Sequence, residues 1–260
     1  MDARTADLAA ERDRLSAAIQ DLRDLERLKS TFVNAISHDL RIPLTGILGY
    51  AEFLEDGMGG ELSPQQQEYV RQILDASGRM SNLLNELLDY ARLEAGKFTV
   101  EARPIALTGA IEQAASTFFP VFERKGLRYS AELPLDLPEV QADPERVVQV
   151  LSNLLSNAAK FTPTGGAIAV RARLEGDGAF LHVEVADTGV GIPAEDVPKI
   201  FDRFHQTRAG QAAGGTGLGL NIAKSLIEAQ GGQMGVRSEV GSGSVFWFTL
   251  PVVKDEPEAG

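Results

Sequence analysis

The sequence predicts an all-α helical hairpin that dimerises into a four-helix bundle behind an N-terminal coiled coil. An α/β sandwich with one mixed sheet follows it. Three observations carry this prediction. Residues 1–35 contain no Gly or Pro, and leucine recurs every seventh position at Leu8, Leu15 and Leu22. A Gly-rich break at 57–60 separates two long amphipathic stretches. Beyond Gly96, helical periodicity gives way to short alternating apolar segments punctuated by Gly, Asp and Pro.

In the first helix Ala18, Leu25 and Phe32 form a second stripe beside the leucines, the seam expected of a parallel two-stranded coiled coil. The apolar pattern continues through Ile36, Leu40, Leu44 and Ile47, so the helix is expected to run past His38 to about Asp56. At about 100° per residue, His38 lies roughly 160–200° from Ile36 and Leu40 and points to solvent. Pro43 removes a backbone donor and should bend the helix one turn beyond the histidine. Ser63 reads as an N-cap, Pro64 as the first helical residue and Gln66 as the closing member of a capping box. Ile73, Ala76, Met80, Leu83, Leu87 and Tyr90 give this second helix its stripe, and Gly96 ends it. The expected divisions are a coiled-coil helix at 1–30, the hairpin at 31–96, the sandwich at 97–253 and a disordered tail at 254–260.

Within the sandwich, Phe98 to Ala102 reads as a strand, Thr108 to Glu123 as a helix and Leu127 to Leu133 as another strand. Asp143-Pro144 caps a helix running to Phe161. Ala167 to Leu174 and Phe180 to Ala186 form a hairpin, and residues 202–216 a polar loop. Leu218 to Gln230 is helical, and strands at 233–238 and 244–250 close the domain.

Composition removes several functions. Lys and Arg total 25 against 37 Asp and Glu, a net charge of -12, which argues against non-specific nucleic-acid binding. The absence of cysteine removes disulfides, thiol catalysis and thiolate-bound zinc. No apolar run approaches the ~18 residues of a membrane span, and no secretory leader is evident. A soluble, cytoplasmic fragment is therefore expected, with any membrane segment lying upstream of it.

Chemistry concentrates in three places. On the helix from Pro144, Val147, Leu151, Leu154, Leu155 and Ala158 form the buried face, while Asn153, Asn157 and Lys160 line the other. Two amides and an ammonium can supply a neutral oxygen ligand to Mg²⁺ and a cation to phosphates. Asp187-Thr188-Gly189-Val190-Gly191-Ile192-Pro193 follows a strand. A carboxylate at that strand end can accept a hydrogen bond from an adenine amino group, and Gly189 and Gly191 let the backbone approach the base. Gly214-Gly215-Thr216-Gly217-Leu218-Gly219-Leu220 leads into a helix, whose N-terminal amides make an anion site. Neither glycine motif is a P-loop. His182 is read as a sheet-surface residue sharing a face with Glu184, and His205 as a packing or lid residue.

Residues 30–251 resemble the catalytic core of two-component sensor histidine kinases. Ser37-His38-Asp39-Leu40-Arg41 with Pro43-Leu44 is similar to that family's H box, and Asn153 to Phe161 to its N box. Asp187 to Gly191, with Ile192 behind it, resembles the first glycine box. Phe201 to Phe204 resembles the F box, and Gly215 to Gly219 the second glycine box. The resemblance implies a homodimeric phosphotransfer bundle followed by a Bergerat-type (GHKL) ATPase domain. By that carry-over Asn157 binds Mg²⁺, Asp187 reads adenine, Lys160 and Arg203 contact phosphates, and 202–216 is the ATP lid. Phe161, Phe204, Thr216, Gly217 and Leu218 join the nucleotide-binding set as members of these boxes.

ATP would then phosphorylate His38, with Asp39 taking the proton from the other ring nitrogen, and the phosphoryl group would pass to an aspartate of a response-regulator receiver domain. Two departures stand out. Ile42 occupies a position where many relatives have Thr or Asn, which predicts weak phosphatase activity because an aliphatic side chain cannot orient water. Gln206 stands where relatives often carry a basic residue. The rival readings are a Bergerat ATPase that hydrolyses ATP directly and a nucleotide-sensing scaffold without transfer. Asn153 replaces the catalytic Glu usual in the former, and the intact boxes disfavour the latter.

Overall fold

The computed structural model describes residues 11–12, 15–16, 20, 36–37, 39–94, 100–176, 178–212 and 214–253. Most of the expected coiled coil, His38, Gly96, Phe98 and the acidic tail lie outside them. The chain divides into two compact units between residues 98 and 99.

The first unit holds α1 (39–55) and α2 (Pro64–Glu94), joined by a turn at 56–60. The capping box forms as read: Gln66 N donates to Ser63 Oγ at 3.4 Å and Ser63 N to Gln66 Oε1 at 2.8 Å. Across the hairpin, the Arg41 guanidinium donates to Asn85 Oδ1 at 3.2 Å.

Burial in the single chain divides the apolar positions into two sets. The hairpin's own seam is Ser37, Leu44 and Ala51 on one side and Val70, Ser77, Leu84 and Ala91 on the other, both at seven-residue spacing. Leu88 and Tyr90 are buried as well. Ile36, Leu40 and Ile47 in the first segment, with Ile73, Met80, Leu83 and Leu87 on α2, stand exposed instead. Each helix therefore carries two stripes. A two-helix hairpin can cover only one of them.

In the second unit the sheet runs β2 (Arg128–Glu132), β4 (Ala167–Glu175), β5 (Phe180–Asp187), β7 (Gly243–Pro251), β6 (Met234–Glu239). β2 and β4 pair in parallel and the remaining neighbours antiparallel, so the sheet is mixed as expected. α3 (Leu107–Ser116), α5 (Pro144–Phe161) and α7 (Gly219–Glu228) lie on one face, with α5 in contact with both other helices. Val147, Leu151, Leu154 and Leu155 of α5 and Leu181, Val183, Phe248 and Leu250 of the central strands are all buried in the core.

Three local expectations change. The strand read at Phe98–Ala102 is Arg103–Ile105 (β1), which pairs with β3 (Val140–Ala142), a strand the sequence reading did not contain. Its register is set by a partner about forty residues away, which local periodicity cannot see. The helix read at Thr108–Glu123 breaks into α3 and α4 (Phe119–Arg124). Pro120 lacks the N–H needed to continue the first helix and sits instead in the opening turn of the second. The polar loop at 202–216 contains a short helix, α6 (Arg208–Ala212).

A buried polar node secures the start of α5. Asp143 Oδ1 accepts from Glu145 N and Arg146 N, and its Oδ2 accepts from Glu101 N at 3.1 Å. Asp143 N in turn donates to Gln230 Oε1 at 2.8 Å. No helix among the described residues is long and apolar enough to cross a membrane.

Candidate active site

α5 is the spine on which three glycine-bearing segments meet. Near its middle, a Cβ added to Gly219 would lie 2.4 Å from Asn153 Nδ2, so the N-terminus of α7 abuts the asparagine. One turn on, Asn157 Nδ2 donates to Asn153 Oδ1 at 3.3 Å, a bond that does not use the Asn157 carbonyl oxygen. Both asparagines are half-buried rather than fully solvated, and α7 begins against Asn153. A Cβ on Gly215 would sit 3.5 Å from Lys160 Nζ, and Lys160 itself is exposed and lies over the Phe161 ring. At the helix end, Val190 N donates to Phe161 O at 3.3 Å, tying α5 to the first glycine motif.

Asp187 ends β5 half-buried, and its Oδ1 accepts from Gly189 N at 2.7 Å. Loss of hydration pushes this carboxyl above the usual carboxylate range, while the amides of Gly189 and Ser244 pull it back down. Gly189 and Gly191 are required by close approach. A Cβ would lie 2.7 Å from Phe161 O at the first and 2.0 Å from Glu239 O at the second, where φ is also +71°. Ile192 N donates to Ser238 Oγ at 2.9 Å, fixing the exit of the motif to β6.

The loop at 202–216 closes on itself. Phe204, 60% exposed, has φ 60° and donates its N–H to Gly217 O at 3.0 Å. Gly217 has φ +74°, and a Cβ there would lie 2.7 Å from His205 O. Gln206 Nε2 donates to Gly215 O at 2.9 Å, bridging the two arms of the loop. Leu218 is buried and its N–H reaches Thr216 Oγ1 at 3.1 Å. Arg203 is exposed at the base. His205 lies beside Asp196, with 3.3 Å between Nε2 and Oδ1.

His182 departs from its reading. It does share a sheet face with Glu184, 3.2 Å away, but it is only 7% exposed because Trp247 stacks on it at 5.3 Å. The sequence reading also missed Gly243 and Lys125. A Cβ on Gly243 would meet Asp187 O at 2.0 Å, and the Gly241-Ser242-Gly243-Ser244 run was its only signal. Lys125 had none.

In the first unit, Asp39, Leu40 and Ile42 are exposed while Ser37 and Leu44 are buried. His38 is outside the described residues.

An acceptor carboxylate at one end, a helix N-terminus and an ammonium at the other, and a neutral amide oxygen between them make a donor set suited to a nucleoside triphosphate with a divalent cation. The fold and this set define an ATP-binding sandwich domain preceded by a helical hairpin. Residues 142–254 match the family described as "Histidine kinase-, DNA gyrase B-, and HSP90-like ATPase", and residues 28–96 match "His Kinase A (phospho-acceptor) domain". The chain is 37% identical to the sensor histidine kinase GacS of Pseudomonas protegens over 94% of its own length and 27% of the relative. It is also 37% identical to the aerobic respiration control sensor protein ArcB of Escherichia coli, over 90% of its own length and 30% of the relative. Among solved structures it resembles full-length ShkA in complex with AMPPNP (TM-score 0.70, 34% identity, 86% of this chain and 46% of that one). It resembles the catalytic domain of histidine kinase ThkA as well (TM-score 0.52, 30% identity, 58% and 96%). The chain belongs to the two-component sensor histidine kinase family. It spans about a third or less of the length of the curated relatives it matches.

Proposed function

We propose that this chain is the kinase core of a two-component sensor: it phosphorylates His38 from ATP as a homodimer and passes the phosphoryl group to a receiver-domain aspartate. The observation that carries the reading is the meeting of three glycine segments on α5: Gly219 and Gly215 against the face that bears Asn153, Asn157 and Lys160, and Gly189–Val190 against the Phe161 carbonyl at its end. Asp187 accepts from the adenine amino group, and Lys160, Arg203 and the α7 N-terminus hold the phosphates. Asn157 would supply an oxygen ligand to Mg²⁺, which when bound would neutralise charge on the phosphates. The ring nitrogen of His38 forms the new N–P bond as the bond from γ-phosphorus to the bridging oxygen breaks and ADP departs. Asp39 takes the proton from the other nitrogen.

The exposed second stripes on α1 and α2 favour a dimer, since a second copy can cover them and complete a four-helix bundle. We assign residues 31–96 to dimerisation and phosphotransfer, 97–253 to ATP binding, and 1–30 to a signalling coiled coil. Because the proposed reaction takes ATP as phosphoryl donor, we assign this part of the protein to the cytoplasm.

The test is incubation with ATP labelled at the γ position. Label on protein that is acid-labile, base-stable and absent from His38→Ala supports the kinase. Free phosphate without labelled protein would instead identify a hydrolytic ATPase, and neither product would identify a scaffold.

A further inference from the structure

An α-helix leaves its last carbonyls without partners inside the helix and carries partial negative charge there. On α5 that end matters most, because it bears Lys160 and Phe161. Ala158 O accepts from Thr162 N, and Phe161 O accepts from Val190 N of the first glycine motif. The ammonium of Lys125 satisfies the next acceptors, donating to Ala159 O at 2.6 Å and to Thr162 O at 2.8 Å. Lys125 lies on the turn between α4 and β2, 34 residues before Ala159. Its own carbonyl accepts from Gly165 N at 3.1 Å, so the turn is anchored at backbone and side chain alike.

We infer that Lys125 is a positioning residue for nucleotide binding: its ammonium clamps the last turn of α5 and thereby sets where Lys160 and the Asp187–Gly191 motif stand. Lys125 acts through α5 and not by touching the nucleotide. Two features make the clamp specific to charge and reach. Both bonds are charge-assisted, the class that is roughly twice as strong as neutral pairs. The cation also sits at the negative end of the helix dipole, where a neutral donor would lose the electrostatic part. Its loss leaves Ala159 O and Thr162 O to find other donors. The last turn then loosens, and with it the Phe161 O to Val190 N bond that holds the glycine motif.

This inference rests on the nucleotide reading of the site, and the experiment separates the two. Binding of a fluorescent ATP analogue to the full chain is measured for the wild type, Asp187→Asn, Lys125→Met and Lys125→Arg, well below the melting temperature of each. A wild type that binds nothing, or binds no better than Asp187→Asn, removes the nucleotide reading itself. Given wild-type binding, Lys125→Met is expected to raise Kd for the analogue and KM for ATP about fivefold to tenfold, because only part of the energy of its two internal bonds is passed on to the site. The labelling kcat should stay within about twofold, as for lost binding that is equal in ground and transition states. Lys125→Arg should recover most of the affinity. Hydrogen exchange supplies a readout that does not depend on binding: the Val190 amide should exchange faster in Lys125→Met, with the central β5 amide of Val185 unchanged. Unchanged Kd and unchanged Val190 exchange in a folded Lys125→Met would overturn the inference. So would equal acceleration of Val185, which would mark general destabilisation.

Discussion

Gly191 offers a stringent test of how the first glycine motif is built. The motif runs so close to the β6–β7 turn that a Cβ on Gly191 would sit 2.0 Å from Glu239 O and 2.9 Å from Val240 Cα. Both are backbone atoms, so no side-chain rotation relieves the clash. Gly191 also has φ +71°, and a neighbouring control has the same backbone problem without the clash: Gly241, at φ +82°, has open space where its Cβ would go. Both alanine variants pay for a left-handed backbone, about 1–2 kcal/mol. Stiffening of the unfolded chain returns about 0.4–1 kcal/mol of that. Gly191→Ala alone adds overpacking against backbone, typically about 1–3 kcal/mol. Gly241→Ala should therefore lose about 1 kcal/mol and Gly191→Ala about 2–4 kcal/mol. Trp247, the only tryptophan, lies in β7 of the same unit and reports its urea unfolding in the full chain by fluorescence. Losses that agree within about 0.5 kcal/mol would refute the close approach as the reason for this glycine.

Two further predictions concern the chemistry. The Asp187 carboxyl is raised by burial, so the native state holds its proton more tightly than the unfolded chain does. Its contribution to stability is then present at low pH and lost as pH rises through the raised value. ATP affinity runs the opposite way, falling as acidification removes the carboxylate acceptor. Asp187→Asn should be at least as stable as wild type at neutral pH in urea titrations, bind the ATP analogue about tenfold less tightly, and lose the acid-side decline in affinity. A variant that is destabilised at neutral pH, or that keeps the decline, contradicts this account. The second concerns Ile42, which is 64% exposed on α1 and so free to accept a polar side chain without disturbing the hairpin. Ile42→Thr should speed hydrolysis of the phosphorylated receiver partner about tenfold by orienting the attacking water. Unchanged decay at saturating partner would show that this position is not the brake.

What the sequence revealed follows the range of the interactions. Ser63 with Gln66 and Asp143 with Pro144 were legible because a cap and its partner lie within one turn. The α5 core face was legible because helical period and burial coincide there. The hairpin seam was not: its members Ser37, Ala51 and Ser77 are small or polar, whereas the larger Ile73, Met80 and Leu83 dominate the pattern yet face outward. β3 and the break before α4 were lost for different reasons, a distant pairing partner in one case and an overlooked Pro120 in the other. Within the site, the glycine motifs were readable as glycines but not their causes, since Glu239 and Asn153 lie far along the chain. Lys125 left no trace because its acceptors are backbone carbonyls, which every residue possesses.

The polar node at the start of α5 has a consequence during synthesis. Asp143 N finds its acceptor in Gln230, 87 residues later. At ribosomal speeds of about 5–20 residues per second, that acceptor emerges roughly 4–17 s after the amide it serves. β7, which pairs with both β5 and β6, emerges later still. The hairpin of residues 39–94 has by then long left the exit tunnel, complete in its own contacts and with its outer stripes bare. In the dimer proposed above, two neighbouring nascent chains on one messenger would be able to join through their hairpins before either has a finished ATP-binding domain. Assembly of this kinase would then begin on the polysome, ahead of catalytic competence.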